Sequence, residues 1–246
     1  MKNTRRIAWA RTGVEAAAIV GSILLAFAID AWWQERGEQT REREILVALL
    51  DDFRKSKASI EAGRNFHLDV QRSNRRLLRS VASGAEPLAD AEVNRILGDL
   101  TWWDSQSRFS TGALNSLVFG GELSIIGDDA LRQTLADWPS EIQRAEALRE
   151  QDYDFFFEVM MPYLREHGYL PEISAVSAPK PGSSEEESTL IELELERDFD
   201  HAAMVATPEF QNILVQKYWI QDDMLRAFDR AETLLDATID RIESNL

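Results

Sequence analysis

The 246-residue chain contains no cysteine, only three histidines, seven prolines and twelve glycines. Without cysteine, a disulfide scaffold, a zinc–cysteine centre and a thiol nucleophile are excluded. Basic residues are scarce, 27 against 43 acidic ones, for a formal net charge of −16. A general nucleic-acid binder neutralises phosphates with clustered Lys and Arg, so that class is excluded as well. Also absent are a nucleophile elbow, a phosphate-binding glycine loop, a dinucleotide fingerprint, a paired-histidine zinc helix and a kinase signature. The histidines, His67, His167 and His201, are scattered, and no catalytic, cofactor-binding or metal-ligating constellation emerges. These absences point away from an enzyme and imply no cofactor; they leave open whether a small molecule binds.

What is present is length enough for a sizeable core and an uneven charge distribution. Residues 1–36 carry five basic and three acidic side chains, residues 37–82 ten and seven, and residues 83–246 twelve and thirty-three. The chain reads as a slightly basic N-terminal third joined to a strongly acidic remainder.

Val14 to Trp33 is a twenty-residue apolar run whose only charges, Glu15 and Asp30, lie near its ends. Such a helix reaches about 30 Å, the thickness of a bilayer core. Trp9 on one side, and Asp30, Trp32 and Trp33 on the other, occupy membrane-interface positions. The expectation is therefore a single membrane-spanning helix in an inner (plasma) membrane. A cleaved signal peptide is the alternative, with Lys2, Arg5, Arg6 and Arg11 as its basic region and Ala26-Phe27-Ala28 as its cleavage site. Glu15 inside the apolar region, and the helix pattern that continues past Trp33, favour the uncleaved span. The basic tail places the N-terminus in the cytoplasm and the acidic part outside, in the periplasm of a Gram-negative cell. Glu15, Ala18, Ser22 and Ala26 fall on one face with small-residue spacing, which suits packing against another membrane helix, from a second copy or a partner membrane protein.

This segment carries a resemblance. Glu15, Gly21, Leu24, Ala26, Asp30, Trp32, Glu35 and Arg36 match the opening of a family of uncharacterised bacterial single-pass membrane proteins, a domain of unknown function. Members of that family run from a G-E through an apolar stretch to N-N-W-N-E-E-R. Val14 intervenes between Gly13 and Glu15 here, and Asp30 stands where Asn is frequent. A second stretch, Ala113 to Leu117, Gly120 to Ile126 and Asp129 to Arg132, resembles the family's L-x-S-S-G-x-L-x-L-I-x-x-x-x-L-R. The resemblance implies membrane anchoring and a helical domain, and brings no reaction with it.

Beyond the span, Leu46, Leu49, Phe53, Ser56, Ile60, Gly63, His67, Val70, Asn74, Leu77 and Val81 follow alternating spacings of three and four, the seam of a stalk or bundle helix over 34–82. His67 on that seam reads as a core or interface histidine, since no second ligand lies at i+3 or i+4. Ser83 to Pro87 ends the helix. A short helix follows from about Asp90, then a connection through Trp102 and Trp103. Thr111 is expected to cap a helix that Gly120-Gly121 stops, and Asp128 to cap a long one, bent at Pro139 and Pro162, that runs to about His167. The aromatics from Tyr153 to Phe157 read as core. Residues 171–198 form an acidic loop in which Leu190 to Arg197 alternates like an edge strand. Asp198, Asp200 and His201 read as a helix entry, and Thr207-Pro208 opens a final helix to about Ser244.

The sequence thus predicts an all-α protein. Its parts are a cytoplasmic tail (1–13), a transmembrane helix (14–33), an amphipathic helix (34–82), a helical domain (83–170), an acidic loop (171–198) and a C-terminal helix (199–246), the last packing back as an antiparallel bundle. The expected role is a non-enzymatic, membrane-anchored interaction or assembly module. The alternative is a tethered helical domain that binds a small ligand or performs an unrecognised hydrolysis.

Overall fold

A computed structural model describes residues 3–82, 86–101, 104, 107–175 and 199–246, with side chains from residue 19 onward. Among these residues the protein is all-helical, with no strand. The elements are α1 (Asn3–Ser80), α2 (Asp90–Leu100), α3 (Gly112–Phe119), a 3-10 turn (Leu123–Ile125), α4 (Asp129–Phe155), a π-helical turn (Phe156–Met160), α5 (Met161–His167), α6 (Leu170–Ala175), α7 (His201–Val205) and α8 (Pro208–Ser244). The strand-like alternation of 190–197, and Asp198 with it, lie outside the described residues.

The three-and-four spacing on α1 identifies the face it buries. Every seam position from Leu46 to Leu77 is buried, Gly63, His67 and Asn74 included. That face packs against α8, which runs antiparallel to it. Going up α1, Arg54, Lys57, Arg64, His67 and Asn74 meet Glu243, Asp236, Asp229, Gln221 and Leu214 going down α8. α4 packs along α8, while α2 and α3 cover further parts of α1.

The predicted caps resolve one by one. Asp128 accepts from the backbone N–H groups of Ala130 and Leu131, and Thr207 Oγ1 accepts from Phe210 N–H. Thr111 does not cap α3 with its side chain; Asp52 of α1 accepts from Ala113 N–H instead, at 2.7 Å. Gly121 ends α3 with φ of +76°, a backbone region glycine enters without a Cβ clash. Pro139 sits inside α4 in an unbroken helix. The interruption falls at Phe156–Met160, just before Pro162, which cannot donate a backbone hydrogen bond to the preceding turn. The aromatic run divides there: Phe155 and Phe156 are buried, whereas Tyr153 and Phe157 are exposed, with ring centroids 4.4 Å apart and the rings tilted by 46°.

The membrane reading is corrected. Among the described residues no helix is long and apolar enough to cross a membrane, so a single-pass localisation is not supported. From Ile19, the first described side chain, the apolar part of α1 ends at Trp33 and gives way to Gln34-Glu35-Arg36. That stretch includes the charged residue Asp30. It forms an exposed helical arm instead, in which every side chain from Ile19 to Thr40 is exposed.

Apolar burial falls into two cores. One joins Leu46 to Ile60 of α1 with α3, the first half of α4 and Met224 to Ile242 of α8. The other joins Val70 and Leu77 of α1 with α2, the π turn, α5 to α7 and Phe210 to Ile220. Between them α1 presents Gly63, against which Asp104 and Ser107 lie. A Cβ built on Gly63 would stand 1.7 Å from Ser107 Oγ and 2.7 Å from Ser107 Cβ. Gly63→Ala is therefore expected to destabilise the protein by about 1–3 kcal/mol in urea unfolding. Adding Ser107→Gly, which removes both clashing atoms, should recover part of that loss.

Candidate functional site: a buried polar layer between two apolar cores

Each long helix contributes polar side chains at the level where the two cores meet. α1 supplies His67, α4 Asp152 and α8 Lys217 and Gln221, while the connection between α2 and α3 supplies Asp104. His67, Lys217 and Gln221 are completely buried, and Asp152 is 2% exposed. On α8 the stripe Phe210, Leu214, Lys217, Gln221, Met224, Phe228 keeps the helical three-and-four spacing, so Lys217 and Gln221 face inward with their apolar neighbours.

These groups form one chain of contacts. Lys217 Nζ donates to Asp152 Oδ1 at 2.7 Å, and Gln221 Nε2 donates to the same oxygen at 3.2 Å. Gln221 Oε1 lies 2.5 Å from His67 Nδ1, and His67 Nε2 lies 3.5 Å from Asp104 Oδ2. Asp104 Oδ1 accepts from Ser107 N–H at 2.9 Å. Burial pushes the Asp104 carboxyl upward, but hydrogen bonds from His67 and Ser107 outweigh it and hold the group down at about 2. Two turns along α1, Asn74 Nδ2 donates to the Leu214 carbonyl of α8 at 2.8 Å.

A second, smaller junction joins Tyr169 and Glu172 to Phe199 and His201. His201 Nε2 accepts from Tyr169 N–H at 3.0 Å, its Nδ1 lies 3.7 Å from Glu172 Oε2, and Glu172 accepts from Phe199 N–H. Burial lowers the His201 pKa, opposed by the nearby carboxylates of Glu172, Asp200 and Asp90. Asp200 caps α7 by accepting from Ala203 N–H.

The residues singled out from sequence have a different fate. Ser22, Ala26, Asp30, Trp32 and Trp33 all sit exposed on the arm; the side chains of Trp9, Glu15 and Ala18 lie outside the described residues. Trp32 and Trp33 meet edge to face at 5.5 Å, and Arg36 lies over the Trp32 ring. Glu122 pairs with Arg41 at the foot of the arm, and Glu42 accepts from Gly127 N–H beside it. The polar layer, apart from His67, was missed. The only signal for it was the intrusion of Lys217 and Gln221 into the apolar stripe of α8.

Fold and layer together define an all-α protein with an ionic centre. No family model matches the chain, and no curated protein or solved structure matches it either. No group of three or more metal-binding side chains occurs among the described residues.

Two outcomes follow. Lys217→Met leaves Asp152 buried without its cation and should cost about 3–5 kcal/mol in chemical denaturation, whereas Asp152→Leu/Lys217→Met should come out near neutral. For His201, the lowered folded pKa means that its contribution to stability is intact above the unfolded value of 6.5 and is lost as pH falls from there toward the folded value. Exchange protection of the Tyr169 amide should accordingly weaken below 6.5, and His201→Gln should abolish that step.

Proposed function

We propose that the protein is a non-enzymatic assembly module: an antiparallel helical bundle, set by α1 and α8, that presents the arm of α1 to the arm of a second copy. The observation that carries this reading is the exposure of Ile19, Val20, Ile23, Leu24, Leu25, Phe27, Ile29, Trp32 and Trp33 at 49–67%. A helix that is apolar on all sides needs cover. Their exposed side chains amount to something on the order of 700 Å², beyond the largest patch of an ordinary monomer and close to what each partner contributes to a standard interface. A second copy is the fitting occupant because the region just past the apolar run, Glu35, Arg36, Glu38, Arg43 and Glu44, carries both signs of charge on exposed side chains and is self-complementary.

Sedimentation equilibrium of the full chain tests this. The wild-type protein should self-associate, and Leu24→Glu/Phe27→Glu should be monomeric with an unchanged helical signal and unchanged thermal stability. A monodisperse wild-type monomer would overturn the proposal. So would undiminished association of the variant, or a monomer that partitions onto phosphatidylcholine vesicles.

A further inference from the structure

We infer that α1 is hinged at Gly37–Thr40, so that the apolar arm pivots relative to the bundle. A long helix bends where its own bonds are weakest and no neighbour holds it. Every side chain from Ile19 to Thr40 is exposed, and the bundle takes hold of α1 at the next two residues. There Arg41 pairs with Glu122, and Glu42 accepts from Gly127 N–H at 2.6 Å. Gly37 stands about one turn beyond that anchorage. It is a poor helix former because its backbone has the most freedom to lose. No packing need calls for it: a Cβ built on Gly37 would meet nothing within 4 Å, in contrast to Gly63. Its effect at this position is on the backbone alone.

Thr40 weakens the same turn. Its Oγ1 donates to the Arg36 carbonyl at 2.9 Å, the acceptor that the helix uses across Gly37. A hydroxyl that shares the carbonyl four residues back loosens a helix and bends it. The side-chain braces stop on either side. Toward the arm, Gln34 Nε2 donates to Asp30, and the Arg36 guanidinium lies 4.9 Å from the centre of the Trp32 ring. Toward the bundle, Arg41 and Glu42 are turned to Glu122 and Gly127. Glu38, between them, has Glu35 three residues before it and Glu42 four residues after it, like charges that disfavour the helix. For the assembly module proposed above, a pivot at this place separates the direction of the arms from that of the bundles. Two chains can then pair without pressing surfaces of like net charge together.

The absence of cysteine lets spin labels be placed one pair at a time. Ala26→Cys/Ala48→Cys brackets Gly37 and leaves Gly21 outside; both positions are exposed, and they lie about 33 Å apart on a straight helix. Ala48→Cys/Ala62→Cys, within the part that the bundle holds, gives the width of a rigid stretch. The full chain also carries Leu24→Glu/Phe27→Glu and is diluted in unlabelled copies, so each dipolar distance lies within one unpaired chain. The pair across Gly37 should give a distribution at least about twice as broad as the bundle pair, reaching below the straight-helix distance. Adding Gly37→Ala/Thr40→Leu should return it to the width of the bundle pair. A distribution across Gly37 as narrow as that of the bundle pair would overturn the hinge. So would a breadth that survives Gly37→Ala/Thr40→Leu, which would place the motion elsewhere in the arm. Sedimentation decides the pairing and these distances decide the hinge, so either can fail alone.

Discussion

The structure depends on a polar interruption at the middle of its longest helix pair. α1 and α8 meet along an apolar seam with a three-and-four repeat, and a repeat of that kind packs almost as well after a slip of seven residues. The layer of His67, Gln221, Asp152, Lys217 and Asp104 removes that freedom. A slip would set a buried lysine and two carboxylates against leucine and isoleucine, each at a desolvation penalty of several kcal/mol. Packing supplies the bulk of the stability on either side, while the layer fixes which residue faces which. It also ties in parts that the α1–α8 pair alone would not locate: α4 through Asp152, and Ser107, whose N–H donates to Asp104.

The close approach of Ser107 has a covalent-geometry cause. At Gly63 the seam of α1 lacks a side chain, and Ser107 occupies the space. Two turns earlier, Ser56 presents a hydroxyl that accepts from Ser110 N–H, and Asp52 takes over the capping of α3 from Thr111. A run of small and short polar residues along α1 thus becomes a docking strip for irregular chain. It satisfies backbone donors that a buried connection would otherwise leave unpaired.

Local rules proved legible where the decisive interaction is itself local. Every seam position that the periodicity gives on α1 from Leu46 to Leu77 is buried, although it passes over Leu50 and Gln71, which are buried too, and the caps at Asp128 and Thr207 follow from chemistry within three residues. They did not reveal that Gly63, His67 and Asn74, the polar or small breaks in the seam, are the positions with the most specific partners. Asp104, Asp152 and Lys217 are each ordinary charged residues in their own windows, and only the tertiary fold joins them. Pro139 errs in the other direction: it stands inside α4 without breaking it, whereas Pro162 follows directly on the π turn. The apolar run before Trp33 was read by length and composition as a membrane span. Among the described residues no helix is long and apolar enough to cross a membrane, and the described side chains of this run stand exposed on an arm, so they carry their apolar surface into a different problem, that of what covers it.

The charge asymmetry has a partly internal explanation. The basic side chains of α1 are spent on the acidic remainder of the chain: Arg54 on Glu243, Lys57 on Asp236, Arg64 on Asp229 and Glu232, Arg76 on Glu92, and Arg41 on Glu122. Most of these pairs are exposed and individually worth no more than about 1 kcal/mol. Their order along the helices is what matters. Rising residue numbers on α1 meet falling numbers on α8, so the ion pairs favour the antiparallel register that the buried layer enforces and disfavour the parallel one, in which acids would face apolar or acidic neighbours. Part of the acidic excess therefore complements α1, and the acidity of the chain is a weaker pointer to a basic partner than its net charge of −16 suggests. The arm lies outside this arrangement. Its apolar stretch has one charged residue, Asp30, and α8 ends before reaching it, since Glu243 lies beside Arg54. Association through the arm would accordingly be governed mainly by apolar area, with the mixed charges from Glu35 to Glu44 adding a smaller, salt-sensitive part, whereas the docking of α8 on α1 carries the larger electrostatic component.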